Sequence, residues 1–317
     1  MKFGSDIKKI LKDTGSTYFF LLKIMIPISI IVKILSELGI IKIIGQYLTP
    51  VMDVIGLPGE FSLVWATGMI TNIYGALIVF FQLSIQNSYT VSQVTVLACL
   101  LLVAHTLPIE ARIAQKAGVR LWWTLFLRIF CAFILAGLIN VIFSYFKLYQ
   151  YENKLIWEPE YTNPTAFQMI TGEIRYYIII FLIILIMMTI MHILKKTGVI
   201  EKLNNFLEPG LEQLGMSKNA APITIIGMTL GLAYGGGIIV KEAKEKNITK
   251  KDTFLSLSLM GLSHSLFEDT LLMFAIGATL VGILFGRLIF TIIIMIILIQ
   301  IINKLTIKKF ERFFTNK

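Results

Sequence analysis

The sequence predicts an all-α polytopic membrane protein built as an inverted internal repeat. Three observations predict it. The first is composition: apolar residues make up 56% of the chain, charged residues only 15%, and mean hydropathy is +0.79. A soluble domain carries about 25% charged residues. Runs such as Ile178 to Met191 hold no charge at all, as a bilayer-spanning segment requires. The second is self-similarity: sliding the chain on itself by 159 positions pairs Gly39 with Gly198, Pro50 with Pro209, Gly56 with Gly215, Gly68-Met69 with Gly227-Met228, Thr90 with Thr249, Gly118 with Gly277 and Arg128 with Arg287. Glycine, proline and arginine have positional roles, so the pattern marks a structural repeat. The third is a group of ionisable residues, His264, Glu268 and Asp269, inside an apolar stretch. His105 and Glu110 stand at the matching places of the first half.

Each half reads as one series of elements. A first span, Thr17 to Leu35, matches Tyr176 to Leu194. The N-terminal lysines lead into it without a small-residue cleavage site, so it is expected to be a retained span. An amphipathic helix follows. Its polar residues are Lys42, Gln46, Thr49 and Asp53 in the first half, and Glu201, Asn205, Glu208 and Glu212 in the second. That spacing places each set on one face, suiting a helix that lies in the membrane interface.

A glycine-interrupted segment comes next. It runs from Glu60 to Gln86, broken at Thr71–Gly75, and from Asn219 to Ala243, broken at Gly231–Gly237. Each arm of roughly a dozen residues reaches about 18 Å, short of a ~30 Å hydrocarbon core. Two re-entrant hairpins are therefore expected, with a continuous kinked span as the alternative. Two long spans close each half: Ser92 to Gly118 and Val119 to Phe146, then Lys251 to Gly277 and Ala278 to Leu305. Each half thus has about three spans, one interfacial helix and one hairpin. Residues 1–146 form the first repeat, 147–173 a connector and 174–317 the second repeat.

Lysine and arginine set the sidedness. With the N-terminus inside, the inner loops carry Arg112, Lys116, Arg120, Lys195, Lys196, Lys241 to Lys251 and the basic C-terminal end. The outer loops carry only Lys42, Lys147, Lys154 and Arg175. The connector, with Glu152, Glu158 and Glu160, falls outside. An odd number of spans per half makes the second half enter from the opposite side. Both termini are then cytoplasmic, in a cell (inner) membrane protein. The net charge of +10 is explained by these loops, and nucleic acid is excluded as a partner. Cys99 and Cys131 lie in apolar segments and read as packing residues.

Three constellations carry the candidate chemistry. Ionisable groups inside a bilayer cost roughly 2.5–3.5 kcal/mol each and usually mark a pathway or relay. On a continuous helix His264 and Glu268, four apart, would share a face. They either line a substrate or proton path or merely staple helices. A metal site is not expected, because no third soft ligand is local. The hairpin breaks, Asn72, Tyr74 and Gly75 with Tyr234, Gly235, Gly236 and Gly237, would leave backbone groups free for a ligand, or else serve close helix packing. Arg128 and Arg287 either pair with the buried acids or snorkel to the interface. No Ser/His/Asp triad, zinc spacing or nucleotide motif is present, so no enzyme is expected.

The repeated order of interfacial helix, broken hairpin and two long spans, with His264-Ser265-Leu266-Phe267-Glu268-Asp269-Thr270 and Tyr234-Gly235-Gly236-Gly237, resembles the Gate, or nucleoside-recognition, family. The resemblance covers both halves. Its wider relatives include the membrane part of FeoB-type ferrous iron transporters, spore maturation proteins A and B, and concentrative nucleoside transporters. It implies a central site enclosed by Asn72–Gly75, Gly231–Gly237, His105, Glu110, His264, Glu268 and Asp269. The expected function is transport of a nucleoside-like or other small polar or anionic solute through a midplane site, coupled to H+ or Na+, with no other cofactor. A divalent metal permease and a non-transporting scaffold of the spore-maturation kind are the alternatives. The lipid bilayer is the expected surrounding, and the interfacial helices offer area for a homodimer contact.

Overall fold

Glycines in left-handed backbone punctuate the chain, and they fall at matched places. Gly39 and Gly198 have φ of 69° and 70°, Gly56 and Gly215 72° and 85°, Gly118 and Gly277 103° and 100°. Only glycine adopts this region without strain, so each pair ends a helix at the same point of its half. The computed structural model describes residues 3–84, 87–155, 166–213 and 215–316. Glu158 and Glu160 of the connector lie outside the described residues. Every regular element among those described is helical, with two isolated bridges, Thr90 to Glu152 and Val119 to Thr315.

In the first half, α1 (Phe3–Glu37) is followed by α2 (Ile40–Asp53), then α3 (Phe61–Ile70) and α4 (Ile73–Ser84), then α5 (Val91–Val103), α6 (Leu107–Lys116) and α7 (Leu121–Tyr145). The second half repeats the order with α8 (Ala166–Lys196), α9 (Val199–Gln213), α10 (Ala220–Leu230), α11 (Leu232–Lys244), α12 (Lys250–Leu262) and α13 (Glu268–Ala275). A π-helical stretch, Val281–Gly286, then runs directly into α14 (Arg287–Asn303), and α15 (Ile307–Phe314) ends the chain. The starts of α5 and α12 are built alike. Thr90 and Thr249 each accept from the backbone N–H three residues on, at 3.2 and 3.0 Å, while Gln93 and Asp252 accept from the cap N–H in return.

Five helices among the described residues are long and apolar enough to cross a membrane: Asp6–Glu37, Val91–Lys116, Leu121–Tyr145, Tyr177–Leu194 and Val281–Asn303. Three spans in each half would give six. The sixth, Lys250 to Ala275, starts on two lysines and an aspartate and divides at residues 263–267 into α12 and α13. The two first spans pack against each other. Asp6 pairs with Lys196, and Tyr18 Oη donates to the Tyr177 carbonyl at 3.1 Å. Moving up α1 therefore moves down α8, and the two run antiparallel. Apolar side chains of α2, Ile43, Tyr47, Leu48 and Val51, face outward while Ile41, Gly45 and Met52 are buried.

At the two glycine-interrupted segments the chain turns back on itself. Gly227 and Gly235 are in backbone contact, and a Cβ on Gly68 would stand 3.2 Å from Cβ of Ala76. Eight residues of straight helix would separate such pairs by about 12 Å. The breaks are narrower than the sequence suggests. The first is confined to Thr71 and Asn72, because the Asn72 side chain caps α4 by accepting from Gly75 N–H at 2.9 Å. The second is Gly231 alone, at φ 99° and ψ 154°, and Gly235 N–H already bonds the Gly231 carbonyl at 3.0 Å. The N–H groups of Gly75 and Gly235 are therefore spent on helix formation and are not open to a ligand.

Gly235 is needed for the close approach. A Cβ there would strike the Gly227 backbone and stand 3.0 Å from Met260 Cε, whereas one on Gly237 would meet nothing within 4 Å. Gly235→Ala is expected to lower stability by about 1–3 kcal/mol, and Gly237→Ala to change it little. Thermal unfolding of the two variants in detergent checks the pair, and equal midpoints would contradict the packing role.

Candidate functional site

The site is built where the fifth and twelfth helices stop in mid-protein. α5 ends at Ala104 (φ −132°, ψ 66°) and α12 at Ser263 (φ −146°, ψ 68°). Two residues on, Thr106 and Ser265 turn left-handed at φ 51° and 48°. Such residues are strained outside glycine. Each turn leaves helix-end carbonyls without an intrahelical partner, and a buried arginine takes them. Arg128 donates through Nε to Val103 O at 2.8 Å and through Nη2 to His105 O at 2.9 Å. Arg287 donates through Nε to Leu262 O at 2.9 Å and through Nη2 to His264 O at 3.0 Å. Both guanidiniums are fully enclosed. They do not snorkel; they hold the breaks open.

Those breaks bring the two histidines together. His105 Nδ1 lies 2.8 Å from Leu101 O, and His264 Nδ1 lies 2.9 Å from Met260 O. A carbonyl only accepts, so each Nδ1 carries the proton and each Nε2 of a neutral ring keeps its lone pair. The two Nε2 atoms are 3.4 Å apart, with ring centroids at 5.0 Å. Each also faces an acid of the opposite half: His264 Nε2 is 3.2 Å from Glu110 Oε1, and His105 Nε2 is 3.6 Å from Asp269 Oδ2. His105, His264 and Asp269 each bring one donor atom to within 4.8 Å of the others. His105 of the first half thus meets His264 and Asp269 of the second across the repeat.

The two halves part company at their acids. Glu110 pairs with Arg128 Nη1. Its counterpart Asp269 makes no such pair: Asp269 Oδ2 and Arg287 Nη1 are both buried without a hydrogen-bond partner. Ser263 Oγ and Thr270 Oγ1, from the same stretch, are also buried without one. An unsatisfied buried polar group costs about 1–3 kcal/mol, and around this cluster that cost falls on the second-half residues.

His264 does not pair with Glu268. Helical spacing would align them, but the chain is not helical between Ser263 and Phe267. Glu268, at the start of α13, instead accepts from Tyr74 Oη at 3.2 Å, which ties the first-half hairpin to the second-half acid. The hairpin turns lie against the same breaks. Thr106 N–H donates to Gly68 O at 2.8 Å, Leu266 N–H to Met228 O at 2.9 Å, and a Cβ on Gly231 would be 2.9 Å from Ser265 Oγ. Gly236 faces Ile113 of α6, and Gly237 is exposed. The side chain of Tyr234 lies outside the described residues. His105, Glu110, His264 and Asp269 therefore form one cluster and Tyr74 with Glu268 a second contact beside it. Asn72, Gly75, Gly235 and Gly236 act in the structure through helix capping and packing. The carbonyls of Leu101 and Met260 are the part that sequence reasoning missed. They lie four residues before each histidine, the spacing by which a side chain reaches back along its own helix.

The sequence pattern of a family described as Gate, nucleoside recognition, matches residues 18–123 and 177–286. One relative is "Uncharacterized membrane protein YvoD" of Bacillus subtilis (strain 168), 28% identical over 258 residues, which span 80% of this chain and 81% of that protein. No solved structure matches the chain.

Proposed function

The chain belongs to the Gate, nucleoside-recognition, family of membrane proteins, and from that premise we propose that it is a transporter that moves a small solute through a site between two inverted repeats. The single observation that carries this reading is the buried His105–His264–Glu110–Asp269 cluster, assembled from both halves where α5 and α12 break off beside the two hairpins. Titratable groups held at depth, with irregular backbone around them, are what a pathway requires and a lipid-facing scaffold does not. In inverted-repeat transporters such a site lies near the bilayer midplane, where the halves meet.

Several contacts support the inversion. Residues related by the repeat touch each other at Tyr18–Tyr177 and at His105–His264. Equivalent residues in contact sit on a twofold axis, and α1 runs antiparallel to its counterpart α8. The loops also sort into two sets. Glu60 accepts from Tyr89, and Asn153 donates to Ile276 O, which joins the residue 56–60, 87–90, 149–153 and 276–279 segments on one side. Ser217 N–H donates to Asp252, Lys250 pairs with Glu311 and Arg120 N–H donates to Phe314 O, which joins the 217–219, 247–252, 118–120 and 311–316 segments on the other. The second set carries Arg120, Lys218, Lys250, Lys251 and Arg312 while the first carries no lysine or arginine, so we place the second, with both termini, on the cytoplasmic side of the cell membrane. The hairpin α3–α4 then enters from outside and α10–α11 from inside, both re-entrant, and α12 with α13 completes a sixth crossing. We keep residues 1–146 and 174–317 as the repeats and 147–173 as the outer connector.

The family description points to a nucleoside-like solute; we extend this to other small polar or anionic solutes, moved with H+ or Na+. The test is a thermal-shift screen of the purified protein against nucleosides, organic anions and divalent metals, then flux of the stabilising solute into proteoliposomes. His264→Ala/Glu268→Ala is expected to abolish that flux while membrane abundance stays at the wild-type level. Undiminished flux in the variant would sink the proposal.

A further inference from the structure

The centre of the site holds more acceptors than donors. With both Nδ1 protons given to carbonyls, two Nε2 lone pairs face each other across 3.4 Å. Glu110 Oε1 and Asp269 Oδ2 stand beside them at 3.2 and 3.6 Å. Asp269, only 6% exposed, turns an oxygen with no hydrogen-bond partner toward His105. Acceptors do not hold one another in place; a cation between them does.

We propose that His105, His264 and Asp269 form a binding site for one divalent first-row transition-metal ion of the Zn(II), Fe(II) or Mn(II) class, with Glu110 beside it. The spacing fits. Nitrogen and oxygen ligands about 2.0–2.2 Å from an ion at tetrahedral corners lie ~3.3–3.6 Å apart. The two histidine Nε2 atoms are 3.4 Å apart, Asp269 Oδ2 is 3.6 Å from His105 Nε2, and all three donor atoms lie within 4.8 Å of one another. The surroundings fit as well. A ligating histidine almost always donates its other N–H to a carbonyl or carboxylate, which fixes its tautomer and aim, and both rings do so here. Two imidazoles with one carboxylate select borderline ions; magnesium and calcium take all-oxygen sets of higher coordination. Arg128 and Arg287, both fully buried, offset the two carboxylates. The ion's charge is therefore not overmatched, which suits a site that must release its ion as well as bind it.

The inference deepens the proposed function and rests on it only for the ion's passage; binding itself is separable from transport. The probe is Co(II), which reports tetrahedral coordination by its intense visible absorption. Wild-type protein in detergent is expected to bind one Co(II) per chain with that spectrum. Zn(II) should displace it, while excess Mg(II) or Ca(II) should not. His105→Ala and His264→Ala are each expected to lose the spectrum and at least tenfold in affinity. His192→Ala, whose ring faces Asp6 at 3.8 Å, should keep both. The wild-type titration decides the matter even where a variant fails to fold. A wild-type protein with no saturable one-equivalent tetrahedral signal, or a signal retained in both folded variants, would overturn the metal site, as would a site filled only by shared protons. Wild-type protein that binds Co(II) but moves no solute would leave the metal site standing and overturn the transporter reading. Flux of a nucleoside by protein that binds no metal would do the reverse.

Discussion

Arg128→Ala is expected to destabilise the protein by about 3–5 kcal/mol, the usual cost of stranding one partner of a buried ion pair. The guanidinium holds two helix-end carbonyls, Val103 O and His105 O, and neutralises Glu110. Removing it leaves a buried carboxylate and two unpaired acceptors at the point where α5 stops. Arg287→Ala removes the matching contacts to Leu262 O and His264 O but strands no acid, since Arg287 Nη1 has no partner. Its cost should be smaller, about 1–3 kcal/mol. Thermal midpoints of monodisperse protein in detergent rank the two. The double variant Arg128→Ala/Glu110→Gln separates charge from carbonyl capping. It should recover a clear part of the loss, because the stranded charge is gone. A double variant as unstable as the single would show that the carboxylate contributes nothing.

Much of this arrangement is legible in the sequence. The offset of 159 residues brought His105 and His264, Arg128 and Arg287, and the punctuating glycines into register, and residues with such narrow roles keep their backbone conformation. Gly118 and Gly277, with φ of 103° and 100°, illustrate it. What sequence could not carry was the break between α12 and α13. His264 and Glu268 at a spacing of four look like a helical pair. The left-handed Ser265 that separates them costs energy that only tertiary contacts, Arg287 on the His264 carbonyl above all, can offset. The crossed pairing of each histidine with the other half's acid was invisible for the same reason, since it depends on which atoms the breaks turn inward. The glycine runs misled in the opposite direction. Glycine permits an irregular backbone, but at Gly235 it serves close packing of two regular helices.

The unequal acids lead to the second large effect. Asp269→Asn should leave stability near wild type, because Asp269 Oδ2 has no hydrogen bond to lose and the amide has the same size. The flux of whichever solute the wild type moves should nonetheless fall by about 10–100-fold, the equivalent of losing one charged contact of ~1.5–3 kcal/mol. Glu110→Gln should behave in the opposite order. Glu110 is already engaged by Arg128, so its neutralisation strands a buried guanidinium and lowers stability by about 3–5 kcal/mol. Two acids at matched positions of one repeat would then do different work, Glu110 fixing the helix break and Asp269 meeting the ligand. Measuring flux and thermal midpoint on both variants tests the division directly. If Asp269→Asn transports like wild type while Glu110→Gln folds normally and does not, the roles are reversed. The ligand-facing acid would then belong to the first half, and the unpartnered Asp269 Oδ2 and Arg287 Nη1 would mark strain in the fold instead of readiness to bind.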